Sequence, residues 1–186
     1  MLHLLLLTIM TNKALIEIKA KCENLSIIRE KLKKLGAKKI GVFKQVDTYF
    51  NVKKGRLKIR EVRELNKSKI VYYLRPDVKG PKRSDIIILE LDKKYANELK
   101  KVLAKAVGVK IVVRKLREIY KYLGAQIHLD EVEDLGYFVE IELPIPLANS
   151  FESYKNIVKS IIKELGISEQ DLIEGSYSDL LSSRTK

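Results

Sequence analysis

The stretch QIHLDEVEDLGYFVEIEL, running from Gln126 to Leu143, decides how the rest of the chain is read. Successive side chains on a strand point to opposite faces. Split that way, Tyr137–Leu143 sets Glu140 and Glu142 on one face against Val139, Ile141 and Leu143 on the other, and Gln126–Val132 puts His128 with Asp130. Gly136 lies between the two runs as a turn. A single amphipathic strand normally shows its charged side to water. Whether that holds here depends on the other strands.

They repeat the pattern. Leu15–Cys22, Val42–Phe50, Leu57–Arg63, Ile70–Arg75, Ile86–Leu91 and Val109–Tyr122 carry β-branched or aromatic residues in alternation, bringing the total to eight, with Gly55, Pro81 and Gly124 as further turns. Glu17, Lys19 and Lys21 share a face opposite Ile16, Ile18 and Ala20, and Lys58 and Arg60 oppose Leu57 and Ile59. Lys115 stands with Arg117, Tyr73 with Arg75, and Glu90 with Asp92. Three segments have helical periodicity. Ser26 is read as the cap of the first, with Ile27, Ile28, Leu32 and Leu35 as its stripe and Gly36 as its stop. The second spans about Tyr95 to Val107, with Leu99, Val102, Leu103 and Ala106 on one face before Gly108. Ser150 or Ser153 opens the third, whose stripe is Ile157, Val158, Ile161, Ile162 and Leu165, ending at Gly166. Leu172–Leu181 reads as a short helical turn that packs back.

The connections are too short for parallel crossovers, so the expected fold is α+β, an eight-stranded antiparallel β-barrel with helices packed outside. Those helices need an apolar surface, and the only apolar strand faces lie opposite the charges. The charges are therefore predicted to line the inside.

A length of 186 residues suits one domain. The net charge of +13 points to anionic partners without choosing among phosphorylated small molecules, nucleic acid and acidic membrane. Cys22 is the only cysteine, which excludes an internal disulfide and a thiolate cluster and fits a reducing cytoplasm. His3 and His128 stand far apart, without the paired spacing of a zinc site. The opening MLHLLLLTIM has no basic lead and no cleavage site, and is shorter than the ~20 residues of a spanning helix. No membrane role is expected. Residues 1–12 read as an N-terminal extension, the first nine dispensable with Met10 as a start, and 13–183 as the domain. The basic run Lys79–Arg83 reads as a solvated loop near the barrel mouth.

A lumen of Lys and Arg alone would repel itself unless an anion filled it. One that also holds Glu17, Glu90, Asp130, Glu140 and Glu142 can bind metal ions, and hard carboxylate oxygens select Mg²⁺ or Mn²⁺. Acidic and basic sets side by side suit a metal–polyphosphate complex, with metals bridging phosphate to carboxylate and guanidinium forks gripping the remaining oxygens.

The ordered blocks Glu17–Lys21, Gln45–Phe50, Gly55–Arg60, Val113-x-Lys115-x-Arg117, Leu129–Glu142 and Ser176–Leu181 resemble the CYTH superfamily, the triphosphate tunnel metalloenzymes, and most nearly its class IV adenylyl cyclase-like branch. The resemblance implies an eight-stranded tunnel, one or two Mg²⁺ or Mn²⁺ ions, and a small-molecule substrate carrying a triphosphate. It covers adenylyl cyclases as well as thiamine, inorganic and RNA 5′-triphosphatases. Carried over by motif, Glu17, Glu140 and Glu142 would be metal ligands supported by Asp130 and Glu90, and Lys19, Lys21, Lys58, Arg60, Arg75, Lys115 and Arg117 would hold phosphates. Glu17 and Lys19 would stand at the chemistry, with Lys19 either the base or one more clamp, while Asp47 and Tyr49 would stabilise the barrel. The family's first-strand pattern is Glu-x-Glu-x-Lys; either Leu15 stands in place of its first acid, or Glu17 is the first and Lys19 replaces the second with Lys21 as the Lys, so that one of the paired acids is missing, which would weaken one metal site rather than triphosphate binding. Two rivals to an enzyme remain: a non-catalytic polyphosphate or nucleotide sensor, and a nucleic-acid-binding module. The oligomeric state is open, a dimer included.

Overall fold

The computed structural model describes residues 10–146 and 151–184. Eight strands close into an antiparallel barrel: β1 (Met10–Cys22), β2 (Lys38–Phe50), β3 (Arg56–Val62), β4 (Lys67–Leu74), β5 (Lys82–Asp92), β6 (Val109–Tyr122), β7 (Ala125–Val132) and β8 (Gly136–Ile145). Around the barrel they run β1-β5-β4-β3-β2-β6-β7-β8 and return to β1. The order is two meanders, β2 to β5 and β6 to β8, joined on one side by the β2–β6 pairing and on the other by β1, which lies between β5 and β8. Closure leaves no sheet edge.

Helices α1 (Leu25–Lys34), α2 (Lys93–Ala106) and α3 (Phe151–Leu165) pack outside, and α4 (Tyr177–Arg184) follows a single 3₁₀ turn at Glu169–Asp171. Ile28 and Leu32 of α1 with Val158, Ile161 and Leu165 of α3 bury against Ile16, Ile18, Ile127, Leu129, Val139 and Ile141, the outward residues of β1, β7 and β8. On the far side Ala96, Leu99 and Leu103 of α2 cover Phe50, Leu57, Ile59, Ile70 and Leu91. The helices thus occupy the apolar faces, and the charged faces turn inward as expected.

Turn geometry fixes the register. Leu123 (φ 48) and Gly124 (φ 77) make the two-residue link between β6 and β7, where Tyr122 pairs with Ala125. At Gly55 (φ +72) a Cβ would lie 2.8 Å from the Tyr73 carbonyl oxygen, so only glycine lets β3 start against β4.

Several local readings change. The cap of α1 is Asn24, whose Oδ1 accepts from the Ser26 N–H at 2.8 Å, with Ser26 already inside the helix. Ile27 and Val102 point outward, at 58% and 59% exposure. Leu25 takes the buried place in α1 and Ala96 in α2. β1 begins at Met10, so residues 10–12, placed in the extension by sequence, pair with β5 at Leu89, Ile88 and Ile87. Residues 1–9, and Ser150 as a helix opener, lie outside the described residues. Among those described, no helix is long and apolar enough to cross a membrane.

Ile161 is fully buried between α3 and the barrel. Ile161→Ala is expected to lower unfolding free energy by roughly 2–5 kcal/mol in urea titration, the range for a large-to-small core change. A change near zero would contradict the packing of α3 on β1 and β8.

Candidate functional site

Inward residues of all eight strands, with Ser176 and Tyr177 of the C-terminal segment, line a cavity of about 310 Å³. The lining carries eight Lys or Arg and three Glu. Asp47 and Asp130, both fully buried, are bonded to members of that set, and cations still outnumber carboxylates.

The charges fall into three interlocked groups. Asp47 on β2 is the hub of the first. Its Oδ1 accepts from Arg60 Nε at 2.7 Å, and its Oδ2 accepts from Arg60 Nη2 at 2.7 Å, Lys58 Nζ at 2.9 Å and Lys115 Nζ at 3.2 Å. The register explains the convergence, because Asp47 stands directly across from Arg60 on β3 and Val113 on β6, with Lys58 and Lys115 one inward position away. Burial alone would raise the Asp47 pKa, but Arg60, Lys115 and Lys58 outweigh it and hold the carboxyl well below the usual range. Burial, together with the neighbouring Arg117, pushes the Lys115 ammonium well down, against the opposing pull of Asp47.

Arg117 is the hub of the second group. It grips Asp130 through Nε at 2.7 Å and Nη2 at 2.5 Å, and the same Nη2 donates to Glu140 Oε2 at 2.5 Å. Glu140 also pairs with Lys19, its register neighbour on β1. The Tyr177 hydroxyl donates to Asp130 at 2.6 Å, and Lys19 Nζ lies 3.9 Å above the Tyr177 ring. Burial works against ionising Glu140, yet Lys19 and Arg117 keep it well below the ordinary carboxylate value, and Arg117 does the same for Asp130.

In the third group Glu17 pairs with Arg75, whose buried Nε has no hydrogen-bond partner among the described residues. Glu142, beside Glu17 in the β1–β8 register, keeps 26% of its side chain exposed to the lumen. His128 Nδ1 approaches Glu140 at 3.5 Å and Glu142 at 3.8 Å, and ligand atoms of these three residues lie within 4.8 Å of one another.

The structure therefore brings together Glu17, Lys19, Lys58, Arg60, Arg75, Lys115, Arg117, Asp130, Glu140 and Glu142. Glu90 and Lys21 stand apart. Glu90 pairs with Lys69 at 3.0 Å in a half-exposed bridge, and Lys21 is exposed beyond the lining. Lys82 corrects the reading of Lys79–Arg83 as a solvated loop. It is 1% exposed, and its ammonium donates to the carbonyls of Val78 at 2.7 Å, Ile173 at 3.0 Å and Glu174 at 2.9 Å, tying the C-terminal segment to β5. Burial lowers its pKa to about 8. Lys13, Lys69, Gln126, His128 and Tyr177 line the cavity without an assigned role from sequence. The parity of β7 placed His128 with Asp130, which was a usable signal, whereas Tyr177 lies on a helix where strand parity says nothing.

A CYTH domain model matches residues 13–177. A Methanocaldococcus jannaschii protein provisionally named an adenylate cyclase is 33% identical over 172 residues, covering 89% of this chain and 97% of its own. A structure from Pyrococcus horikoshii OT3 superposes with a TM-score of 0.77 at 28% identity, over 89% of this chain and 98% of that one. A Hippeastrum protein, described as a provisional adenylyl cyclase with a dominant triphosphatase activity, shares the fold with a TM-score of 0.63 at 16% identity, over 93% and 95% of the two chains.

Unfolded carboxylates titrate near ~4. Asp47, Asp130 and Glu140 lie lower when folded, so the stability they contribute is present above that value and lost as pH falls through their folded pKa values. The urea midpoint is expected to fall between about pH 5 and pH 2. Asp47→Asn should flatten that fall and cost on the order of 3–5 kcal/mol at pH 7, because it strips charge from a buried hub. A midpoint independent of pH would contradict the assignment.

Proposed function

The chain belongs to the CYTH domain family, and from that premise we propose that it is a divalent-metal-dependent enzyme that binds a triphosphate inside the barrel and hydrolyses it. The observation that carries this reading is the sharing of one enclosed cavity by a surplus of Lys and Arg and two neighbouring carboxylates, Glu140 and Glu142, of which Glu142 forms no ion pair with Lys or Arg among the described residues. A lumen meant only to hold polyanion would need no free acid. The donor set fits a hard or borderline divalent cation, Mg²⁺ or Mn²⁺, since it offers oxygen and imidazole nitrogen and no thiolate. Glu140 and Glu142 would hold the cation, with Glu17 next to them on β1. When bound, it would supply charge neutralisation on the phosphoryl oxygens.

The chain's own residues do the rest. Lys58, Arg60 and Lys115 form one clamp, steadied by Asp47, and Arg117 and Lys19 a second, steadied by Asp130 and Glu140. Their donors point to one enclosed space before substrate arrives, so little reorganisation is needed as charge builds on the transferring group. Lys19 contributes as a clamp, because its contacts with Glu140 and the Tyr177 face are those of an ammonium. Arg75, whose Nε has no hydrogen-bond partner among the described residues, adds a donor on the β4 side. Asp130 orients Arg117, and Glu90 and Lys21, which stand outside the cavity lining, do not bind. Water oriented by Glu17 or Glu142 attacks the terminal phosphorus in line and gives up a proton to that carboxylate, while the bond from phosphorus to the bridging oxygen breaks and releases the diphosphate and orthophosphate. The name of the Methanocaldococcus relative favours a second reading, in which a 3′-hydroxyl attacks the α-phosphate, closing cyclic AMP and releasing pyrophosphate. The reading places the protein in the cytoplasm, where nucleotides and Mg²⁺ are available.

ATP, inorganic tripolyphosphate and thiamine triphosphate, each assayed with Mg²⁺ and Mn²⁺, separate the outcomes. Orthophosphate released only with metal supports hydrolysis, and pyrophosphate with cyclic AMP supports the second reading. Glu140→Gln/Glu142→Gln should cost at least about 10²-fold in turnover, the scale for losing preorganised electrostatic groups, while the urea midpoint shows that the barrel still folds. Full activity in a folded double variant would remove these residues from the site.

A further inference from the structure

A buried histidine usually satisfies both ring nitrogens, and His128, at 2% exposure, makes only long contacts with each. Its Nε2 lies 3.3 Å from Gln126 Oε1, an acceptor. In the tautomer whose Nε2–H donates there, Nδ1 carries the lone pair and is open to a cation. Nδ1 faces Glu140 Oε2 at 3.5 Å, the long limit of a hydrogen bond, and Glu142 Oε1 at 3.8 Å, beyond it. Three electron-pair donors from β7 and β8 therefore converge on one space at the lumen wall, within 4.8 Å of one another. The β7–β8 register builds this, since His128 pairs with Glu140 and Gln126 with Glu142.

We propose that His128 Nδ1 is itself a ligand of the cation held by Glu140 and Glu142, which makes the site a mixed nitrogen–oxygen one that takes Mn²⁺ in preference to Mg²⁺. The inference rests on the reading that the lumen binds a divalent cation. Mg²⁺ demands oxygen ligands and sheds water reluctantly, whereas imidazole suits the transition-metal ions. Gln126 is the positioning residue, holding the tautomer that leaves Nδ1 free for metal, as outer partners of ligating histidines do. Leu15 works in the same direction. On β1 it stands two residues before Glu17, on the same face, and supplies no oxygen where a further acid would have made the set harder.

The test is pulsed electron paramagnetic resonance of the full chain loaded with Mn²⁺ alone, which needs no turnover. Wild type should show ligand-nitrogen coupling from a directly bound imidazole. His128→Gln should lose the coupling and weaken Mn²⁺ by about tenfold or more, with a smaller change for Mg²⁺. Gln126→Leu, which leaves the ligands in place, should keep the coupling but weaken Mn²⁺. Bound Mn²⁺ without nitrogen coupling in wild type overturns the inference and leaves the metal-dependent reading standing. Failure of wild type to bind Mn²⁺ overturns both.

Discussion

Asp47 holds Arg60, Lys58 and Lys115 at the centre of the barrel, and the rest of the structure depends on charge being kept there in balance. Withdrawing an ion from water costs several kcal/mol even in a relaxed protein. Such a cost is tolerable only where each ion meets a counter-ion in good geometry, and Asp47, Arg117 and Glu140 each meet at least two. Strand pairing sets the partners one or two positions apart around the wall, so barrel closure and charge pairing support each other. If the barrel opened, the hub would lose its cations along with its hydrogen-bonded neighbours.

The same arrangement explains why the outside is apolar. Helices α1 and α3 bury Ile16, Ile18, Ile127 and Ile141, and α2 buries Ile59 and Leu57. With those faces covered, Glu17, Lys19, His128, Glu140, Lys58 and Arg60 can only face inward, because alternation leaves them no other side. What is unusual is that polar groups fill a space where a small barrel would otherwise pack side chains. An interior of this kind is poorly suited to stability and well suited to receiving a further set of anionic oxygens. Phosphate oxygens can use the donors that Asp47 and Glu140 leave free, since Lys has three donors and Arg five.

Much of this was legible in the sequence. β6 was read at its observed limits, Val109–Tyr122, because it is rich in β-branched and aromatic residues and lies between Gly108 and Gly124. Strands whose ends are polar came out short. β5 begins at Lys82 and β4 at Lys67, where no apolar residue marks the start and only pairing with a neighbour defines the strand. Alternation also says which face a residue takes and not how far along the tunnel it sits. Glu90 shares the inward parity of Ile86 and Ile88, yet its place at the end of β5 leaves it at the rim with Lys69. Lys82 shows the reverse, a basic residue in a polar run that the returning C-terminal segment buries. The meeting of His128 with both glutamates is a property of the β7–β8 register, which no single strand discloses. Helix faces were misjudged at Ile27 and Val102 because a helix covering a barrel buries a narrow stripe, and a hydrophobic residue beside that stripe stays in water.

The central claim is that the inward charges act together on one polyphosphate chain. Calorimetric titration of the protein with inorganic tripolyphosphate and with orthophosphate, both without divalent metal so that no turnover occurs, measures this directly. The account predicts one-to-one binding of tripolyphosphate at least about 100-fold tighter than orthophosphate, the ratio that corresponds to ~2.7 kcal/mol of added contact. Equal affinities for the two, with several ions bound per chain, would mean that the positive charge acts as an exterior surface and would contradict the account.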